Sequence, residues 1–190
     1  ALDEAAFIVL ESLSLPVDDI NPWLDARLTL PERERLVGLV EARISTRKPA
    51  AYLLNKVYQQ GMPFYVDERV IVPRSFIGEL LTKDHVVGDG GLIPDPAGIS
   101  SVLDLCTGSG CLAIIAAHLF PNAVIDAVDL SADALAVATR NVEAYGLDER
   151  ITLHQGNLFQ PLGKKKFDLI ITNPPYVDGV TMAMLPPEFL

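Results

Sequence analysis

The strongest constraint on the fold is an apolar segment that runs into two closely spaced glycines. Val102–Leu105 has the pattern of a buried strand, and Cys111–Phe120 has that of a helix. Between them, Gly108 and Gly110 allow the backbone to turn sharply and to approach a ligand closely. The following helix presents its N-terminus to the same place. The segment therefore predicts a strand, a glycine loop and a helix, with a ligand site at the end of the strand.

The residues that follow continue to alternate between the two patterns. Strands are predicted over Ala123–Val128, Ile151–Leu153 and Asp168–Thr172, the last of them buried on both faces, and Ser131 caps a helix over Ala132–Tyr145. Alternation of this kind requires a parallel sheet with right-handed crossovers. Such sheets bind ligands at the carboxyl ends of strands where the strand order reverses. The predicted fold class is α/β, with a Rossmann-like sheet.

The glycine loop alone leaves the ligand open. With Ala113 its spacing is G-x-G-x-x-A, which is formally a dinucleotide fingerprint but a weak signal by itself. Asp129 lies 21 residues after Gly108, where an acidic group binds ribose hydroxyls. Asp104 ends the first strand, and a carboxylate near the loop suits a cationic ligand better than a pyrophosphate. A nicotinamide-dependent dehydrogenase is therefore a distant alternative.

The tetrapeptide Asn173-Pro-Pro-Tyr176 leaves the last predicted strand and is the chemical clue. Two successive prolines fix φ and donate no backbone N–H, so the surrounding carbonyls are held rigid as acceptors. The side-chain oxygen of Asn173 and the main-chain oxygen of Pro174 can each accept one N–H of a planar amino group. Tyr176 can lie along the face of that group. The other interpretation is an ordinary Asn-Pro turn that closes a strand.

Composition narrows the class of partner and the location. Fifteen basic against 25 acidic residues give a net charge of −10, which argues against broad nucleic-acid binding and favours a basic protein partner. The cysteines Cys106 and Cys111 have no zinc spacing, so no metal is predicted, and they fit a reducing cytoplasm. No apolar run of 18 residues and no signal peptide is apparent, so no membrane association is expected.

The first half of the chain predicts a helical unit and a linker. A helix starting at Pro31 places Leu36, Leu39, Val40 and Ile44 on one face. A hairpin is predicted with strands at 65–66 and 70–72, followed by a short helix over Phe76–Leu81. We therefore divide the chain into an N-terminal helical, substrate-recognising domain (1–60), a hairpin and linker (61–98) and a catalytic domain (99–190).

Together these motifs resemble those of class I S-adenosylmethionine-dependent methyltransferases that act on planar amino groups. The resemblance rests on Asp104-x-Cys-x-Gly-x-Gly110, Asp129 and Asn173-Pro-Pro-Tyr176. The stretch 64–79, preceded by 50–56, is similar to the linker of the PrmB-type branch of the HemK/PrmC-like N5-glutamine methyltransferases. That branch modifies a glutamine of the third large-subunit ribosomal protein. Its sister branch modifies release factors and typically has Pro-Arg-Pro-x-Thr-Glu where this chain has Pro73–Glu79.

The resemblance implies the cofactor, the site and the sheet order. The cofactor would be S-adenosylmethionine, with S-adenosylhomocysteine as product. The residues implied for cofactor binding are Asp104, Cys106, Thr107, Gly108, Gly110, Asp129, Leu130, Asn157, Leu158 and Asn173. Family members often carry Asp at the position of Asn157, but Asn still accepts from the adenine amino group through its side-chain oxygen. Substrate binding falls to Asn173, Pro174, Pro175 and Tyr176, with catalysis assigned to Asn173, Pro174 and Tyr176. The implied strand order is 3-2-1-4.

The resemblance also bears on the extent of the sheet and on the alternatives that stay open. Fourteen residues follow Tyr176, whereas the resembled fold has three more strands, so a sheet truncated at the C-terminus is expected. A release-factor methyltransferase, and a DNA or RNA amino-methyltransferase acting on a flipped base, remain the nearer alternatives. A noncatalytic binding module is disfavoured, because three motifs fall in the right order.

Overall fold

The computed structural model describes residues 2–83, 86–177, 181 and 184. The chain divides into two compact units, the first containing Ala1–Asn55 and the second spanning Lys56–Tyr176. None of the helices in the described ranges has both the length and the apolar character needed to cross a membrane.

Helices α1 (Leu2–Ser12), α2 (Leu30–Thr46) and α3 (Ala50–Leu53) build the first unit around buried Ile8, Leu36 and Ala50. Thr29 caps α2, since its backbone N–H and its hydroxyl both donate to Glu32, at 2.7 and 2.8 Å.

The predicted apolar face of α2 is only partly correct. Leu36 is buried and Leu39 packs beside it, whereas Val40 is 46% exposed and Ile44 is 72% exposed. Next to this face, the partly exposed Arg43 contacts α1 through its guanidinium, which pairs with Glu4 at 3.0 Å. The apolar spacing predicted the position of the helix correctly, but it did not predict which residues of the apolar face are buried.

A hairpin opens the second unit, but not at the predicted position. Strand β1 (Val57–Gln59) pairs antiparallel with β2 (Met62–Phe64) across Gln60–Gly61, both of which have positive φ. Two such residues match the twist of the strands they join. The prediction of strands at 65–66 and 70–72 is wrong. Asp67 instead closes a local turn, accepting from the backbone N–H of Arg69 at 3.0 Å.

The central sheet of the second unit is parallel. It contains β3 (Ser101–Leu105), β4 (Val124–Asp129), β5 (Ile151–Gln155) and β6 (Leu169–Thr172), in the order β5-β4-β3-β6. The α/β prediction is confirmed, and the order is the 3-2-1-4 implied by the resemblance. The helices of this unit are α4 (Phe76–Leu81), α5 (Cys111–Leu119) and α6 (Ala132–Ala144).

The two faces of the sheet are packed differently. On one face, Val102, Ile125 and Ile151 pack with the nearly all-apolar helix α5 in the main core. On the other face, Leu103, Leu105 and Val128 form a smaller cluster with partly buried Leu162 and Phe167. The larger of the two clusters is therefore the main packing of the sheet, and this packing fixes the positions of the strand ends.

Strand β6 departs from its prediction. It was expected to be buried on both faces, but only Ile171 is buried, whereas Ile170 is 48% exposed and Thr172 is exposed. The reason is topological: within the described part of the chain, β6 lies at the edge of the sheet and pairs with β3 alone. An apolar run indicates a strand but does not give its place in the sheet.

Candidate functional site

The site lies at the carboxyl ends of the parallel strands. Leu105 of β3 is in register with Thr172 of β6, and the Thr172 hydroxyl donates to the Leu105 carbonyl at 3.0 Å. The next residues along the two strands are Cys106, which begins the glycine loop, and Asn173, which begins the tetrapeptide. The pairing thus brings together two motifs that are more than 60 residues apart in the chain.

Three residues of the glycine loop have a left-handed backbone conformation. Cys106, Gly108 and Gly110 have φ of 61°, 55° and 80°. A Cβ at Gly110 would lie 3.2 Å from the Cβ of Ala138 in α6, so this glycine is required by its conformation and by its close packing. A Cβ at Gly108 would meet nothing within 4 Å, so the loop is open on that side. The loop is packed against the protein below and leaves room for a ligand above.

Asp129 ties this loop to the end of β4. Its Oδ2 accepts from the backbone N–H of Gly108 at 2.8 Å, and its Oδ1 accepts from Ser131 at 2.9 Å. Each carboxylate oxygen retains a further lone pair. Asp129 is therefore fixed in orientation and can still accept hydrogen bonds from vicinal hydroxyls.

Asp104 lies beneath the loop rather than at its open side. The side chain is fully buried, and its Oδ2 accepts from the Thr107 hydroxyl at 2.6 Å and from the Ala113 N–H at 3.1 Å. Its Oδ1 is buried without a hydrogen-bond partner. Burial raises the pKa of this carboxyl to about 7, although the hydrogen bonds from Thr107 and Ala113 oppose the shift. The structure thus places Asp104 where it holds the two ends of the loop together.

The partly buried thiol of Cys106 lies between the two motifs. Burial raises its pKa, the charges of Asp129 and Asp104 raise it further, and a hydrogen bond with Thr172 lowers it. A thiol with a raised pKa stays protonated at neutral pH, so Cys106 is not a nucleophile here. It can line the site as a small, neutral group.

The far side of the site is formed by the ends of β4 and β5. The Gly156 N–H donates to the Asp129 carbonyl at 3.0 Å, which joins the two strand ends. Leu130 is 69% exposed and Leu158 is 48% exposed, and Asn157, the neighbour of Leu158 in the chain, is also exposed. These side chains offer apolar surface and an amide to a flat ligand.

The tetrapeptide is the exposed part of the site. Asn173, Pro174 and Pro175 are exposed, and Tyr176 is 86% exposed. The structure therefore brings most predicted site residues to one edge of the sheet, with Asp104 as the exception. Among the side chains described, no cluster of three or more His, Cys, Asp or Glu could hold a metal ion.

Known proteins match this chain in two ways. The model of the methyltransferase small domain family matches residues 93–186. Proteins named ribosomal protein uL3 glutamine methyltransferase match nearly the whole chain. The one from Bradyrhizobium diazoefficiens is 61% identical over 188 residues, which is 97% of this chain and 59% of that protein. The one from Burkholderia pseudomallei is 54% identical over 199 residues, which is 100% of this chain and 62% of that protein.

By sequence, this chain belongs to their family. It spans 59–62% of the length of these two relatives in the uL3 glutamine methyltransferase family.

Sequence reasoning missed one buried residue of this uL3 glutamine methyltransferase homologue. Asn141 of α6 is 2% exposed and donates to the carbonyl of Ser109 in the glycine loop at 2.8 Å. The signal was available, because Asn141 is a polar residue on a helix face otherwise formed by Ala134, Val137, Ala138 and Val142.

Proposed function

We propose that this protein is an S-adenosylmethionine-dependent methyltransferase that methylates the side-chain amide nitrogen, N5, of a glutamine in ribosomal protein uL3. One observation carries the proposal: strand β6 delivers Asn173 beside the glycine loop of β3. Relatives at 50–61% identity that are named as uL3 glutamine methyltransferases also support the proposal. The enzyme class is thus a protein glutamine methyltransferase.

The residues present fit the cofactor. The open side of Gly108 leaves space next to the loop, and the fixed Asp129 carboxylate has lone pairs for the two ribose hydroxyls. Exposed Leu130 and Leu158 would offer apolar surface to the adenine ring, and the Asn157 side-chain oxygen would accept from its amino group. Thr107, Gly108 and Gly110 would hold the amino acid part. Bound S-adenosylmethionine supplies an electrophilic methyl group on a positively charged sulfur and leaves as S-adenosylhomocysteine.

Asn173 and Pro174 act on the glutamine amide. An amide nitrogen is a poor nucleophile because its lone pair is delocalised into the carbonyl group. The Asn173 side-chain oxygen and the Pro174 main-chain oxygen each accept one N–H hydrogen of the substrate amide. These two bonds orient the nitrogen and stabilise the positive charge that develops on it. The proton can leave after the methyl group has been transferred, so no general base is needed beforehand.

Pro175 and Tyr176 complete the substrate side. Two successive prolines restrict the backbone, so the acceptor oxygens need little reorganisation at the moment of reaction. The exposed Tyr176 ring is available to lie against the planar amide of the substrate. The tetrapeptide is therefore a clamp for an NH2 group and not only a turn after a strand.

Charge and organisation suit a protein substrate. A net charge of −10 favours encounter with a basic ribosomal protein in the cytoplasm and disfavours stable nucleic-acid binding. The helical unit at the N-terminus would recognise this protein, and the catalytic domain (99–190) would carry the chemistry. The hairpin and the linker would connect the two.

The test is a methyl-transfer assay with the full-length protein and methyl-labelled S-adenosylmethionine. Unmethylated uL3, release factors and DNA are offered separately, and mass spectrometry locates the label. We expect label on one glutamine amide of uL3. Label on release factor alone would keep the chemistry and change the substrate, whereas label on DNA alone, or on nothing, would refute the proposal.

A further inference from the structure

The side chain of Asn141 uses three of its hydrogen-bonding positions on two distant segments. Its Oδ1 accepts from the Tyr65 N–H at 2.8 Å, and its Nδ2 donates to the Tyr65 carbonyl at 3.0 Å. The same Nδ2 donates to the Ser109 carbonyl at 2.8 Å. Both protons of one buried amide are thereby used, one on the glycine loop and one on the segment that follows β2.

The contact with Ser109 fixes an entire peptide plane of the glycine loop. In a trans peptide the C=O and N–H point in opposite directions. The carbonyl of the Ser109–Gly110 peptide is held by Asn141, and its N–H donates to the Thr107 carbonyl at 2.9 Å. Rotation of this peptide would break both bonds. The plane therefore has one orientation for as long as Asn141 is in place.

Helix α6 supports the same loop by packing. Ala138 lies one turn before Asn141 and contacts the position where Gly110 has no side chain. Ala138 thus packs next to Gly110, and Asn141 donates a hydrogen bond to Ser109. The loop is placed by α6 as well as by the strand from which it emerges.

The contact with Tyr65 extends the connection to the hairpin. Tyr65 directly follows β2, and its ring lies 3.6 Å below the guanidinium carbon of Arg140, the neighbour of Asn141. Both backbone polar groups of Tyr65 are satisfied by Asn141, in the manner of a strand partner. A shift of this segment is therefore transmitted to Ser109 through a single side chain.

We infer that Asn141 is a positioning residue for the cofactor-binding loop, holding the Ser109–Gly110 peptide in its binding orientation and coupling it to the hairpin segment at Tyr65. The inference rests on the proposed function only in naming a cofactor as the ligand of the loop. The hydrogen bonds from Asn141 to the loop are present in the protein without ligand. Asn141 touches neither cofactor nor substrate in this assignment. It acts through the loop.

The test replaces Asn141 by Asp, which has the same size but loses both N–H donors and places a charge against two carbonyls. Its matched control is Tyr145→Phe, because the Tyr145 hydroxyl donates to the Pro63 carbonyl at 2.7 Å. That bond also joins the end of α6 to the hairpin, but it does not touch the glycine loop. Asn141→Ser, which is neutral, replaces the Asp variant if that variant fails to fold by circular dichroism.

Two readouts are made on the full-length protein. Amide hydrogen exchange of residues 108–111 in the apo protein should accelerate in Asn141→Asp and stay unchanged in Tyr145→Phe. The Kd for S-adenosylhomocysteine, by calorimetry, should rise about tenfold in the Asn141 variant alone, which corresponds to about 1.4 kcal/mol.

A merely structural role predicts a different result. If the Asn141 variant loses thermal stability while loop exchange and the Kd stay at wild-type values, the inference is overturned. It is also overturned if Tyr145→Phe produces the same changes. Failure of the wild type to bind S-adenosylhomocysteine would refute the proposed function instead, and the exchange measurement would still decide whether Asn141 holds the loop.

Discussion

The two halves of the site are held in opposite ways. In the glycine loop, Thr107 and Ser109 are 7% and 4% exposed, and the carboxylates of Asp104 and Asp129 satisfy the N–H and hydroxyl groups around it. The tetrapeptide, in contrast, leaves an edge strand into solvent, and its Tyr176 is 86% exposed. The loop is organised by many contacts inside the protein. The tetrapeptide relies on one strand pairing and on the stiffness of its prolines.

This difference teaches how the two parts should respond to mutation. Changes in the loop should be felt in folding and in ligand affinity together, since the same hydrogen bonds serve both. Changes in the tetrapeptide should be felt in the reaction while the fold stays intact, because exposed side chains add little to stability. Four substitutions can sharpen or break this comparison.

The largest effect is expected for Asn173→Ala. Loss of one of two acceptors for the substrate amide should lower kcat about 10²- to 10³-fold, as does removal of a group that stabilises developing charge. The affinity for S-adenosylhomocysteine should fall much less than kcat, and the Tm should stay close to wild type. Single-turnover kinetics and calorimetry make the measurement. A loss confined to cofactor binding would contradict the assignment of Asn173 to the substrate amide.

Gly110→Ala should cost about 2–4 kcal/mol of folding free energy and abolish cofactor binding. The alanine would have to keep the backbone at φ +80°, and its methyl group would lie 3.2 Å from the Cβ of Ala138. The control is Gly146→Ala, which has φ +63° but meets nothing within 4 Å, so it carries the backbone strain alone. Urea denaturation compares the two. Equal destabilisation of both variants would mean that packing of α6 on the loop is unimportant.

Asp104 should make stability depend on pH. Because burial raises its folded pKa to about 7, the folded protein binds one more proton than the unfolded chain between about pH 4 and 7. Stability should therefore fall as pH rises through this window, with a slope of at most about 1.4 kcal/mol per pH unit. Asp104→Asn should remove this contribution. Denaturation of both proteins from pH 4.5 to 8 tests it, and parallel curves would rule it out.

The smallest effect is expected for Asp168→Asn, at the end of β6 opposite the tetrapeptide. The Asp168 carboxylate accepts from the backbone and hydroxyl groups of Ser100 and Ser101, and the Ser100 hydroxyl bond, at 2.7 Å, is the main cause that lowers its pKa to about 2. This stabilisation is present above the unfolded pKa of about 4 and is lost as pH falls through the folded value.

The variant should therefore lower the Tm slightly at pH 7, and the gap to wild type should narrow between pH 4 and 2. Differential scanning measurements across that range provide the check. A gap as wide at pH 2 as at pH 7 would show that the charge of Asp168 is not what anchors the strand.

The sequence alone determined the strands of the parallel sheet, the helices that alternate with them and the two motifs of the site. Apolar patterning located α5, α6 and the strands of the sheet, because buried elements carry apolar residues in runs or at a 3.6-residue spacing. The glycines and prolines located the loop and the tetrapeptide, since they restrict or free the backbone at their own positions.

Only the tertiary structure decided which residues meet. It set Asp104 beneath the loop, left β6 at the sheet edge among the described strands, placed the hairpin at Gln60–Gly61, and brought Asn141 to both Ser109 and Tyr65. Such contacts join residues up to 76 positions apart. Local pattern can mark a polar residue such as Asn141 on an apolar helix face, but it does not name the partners, because burial of a polar side chain is stable only when groups from elsewhere in the chain satisfy it.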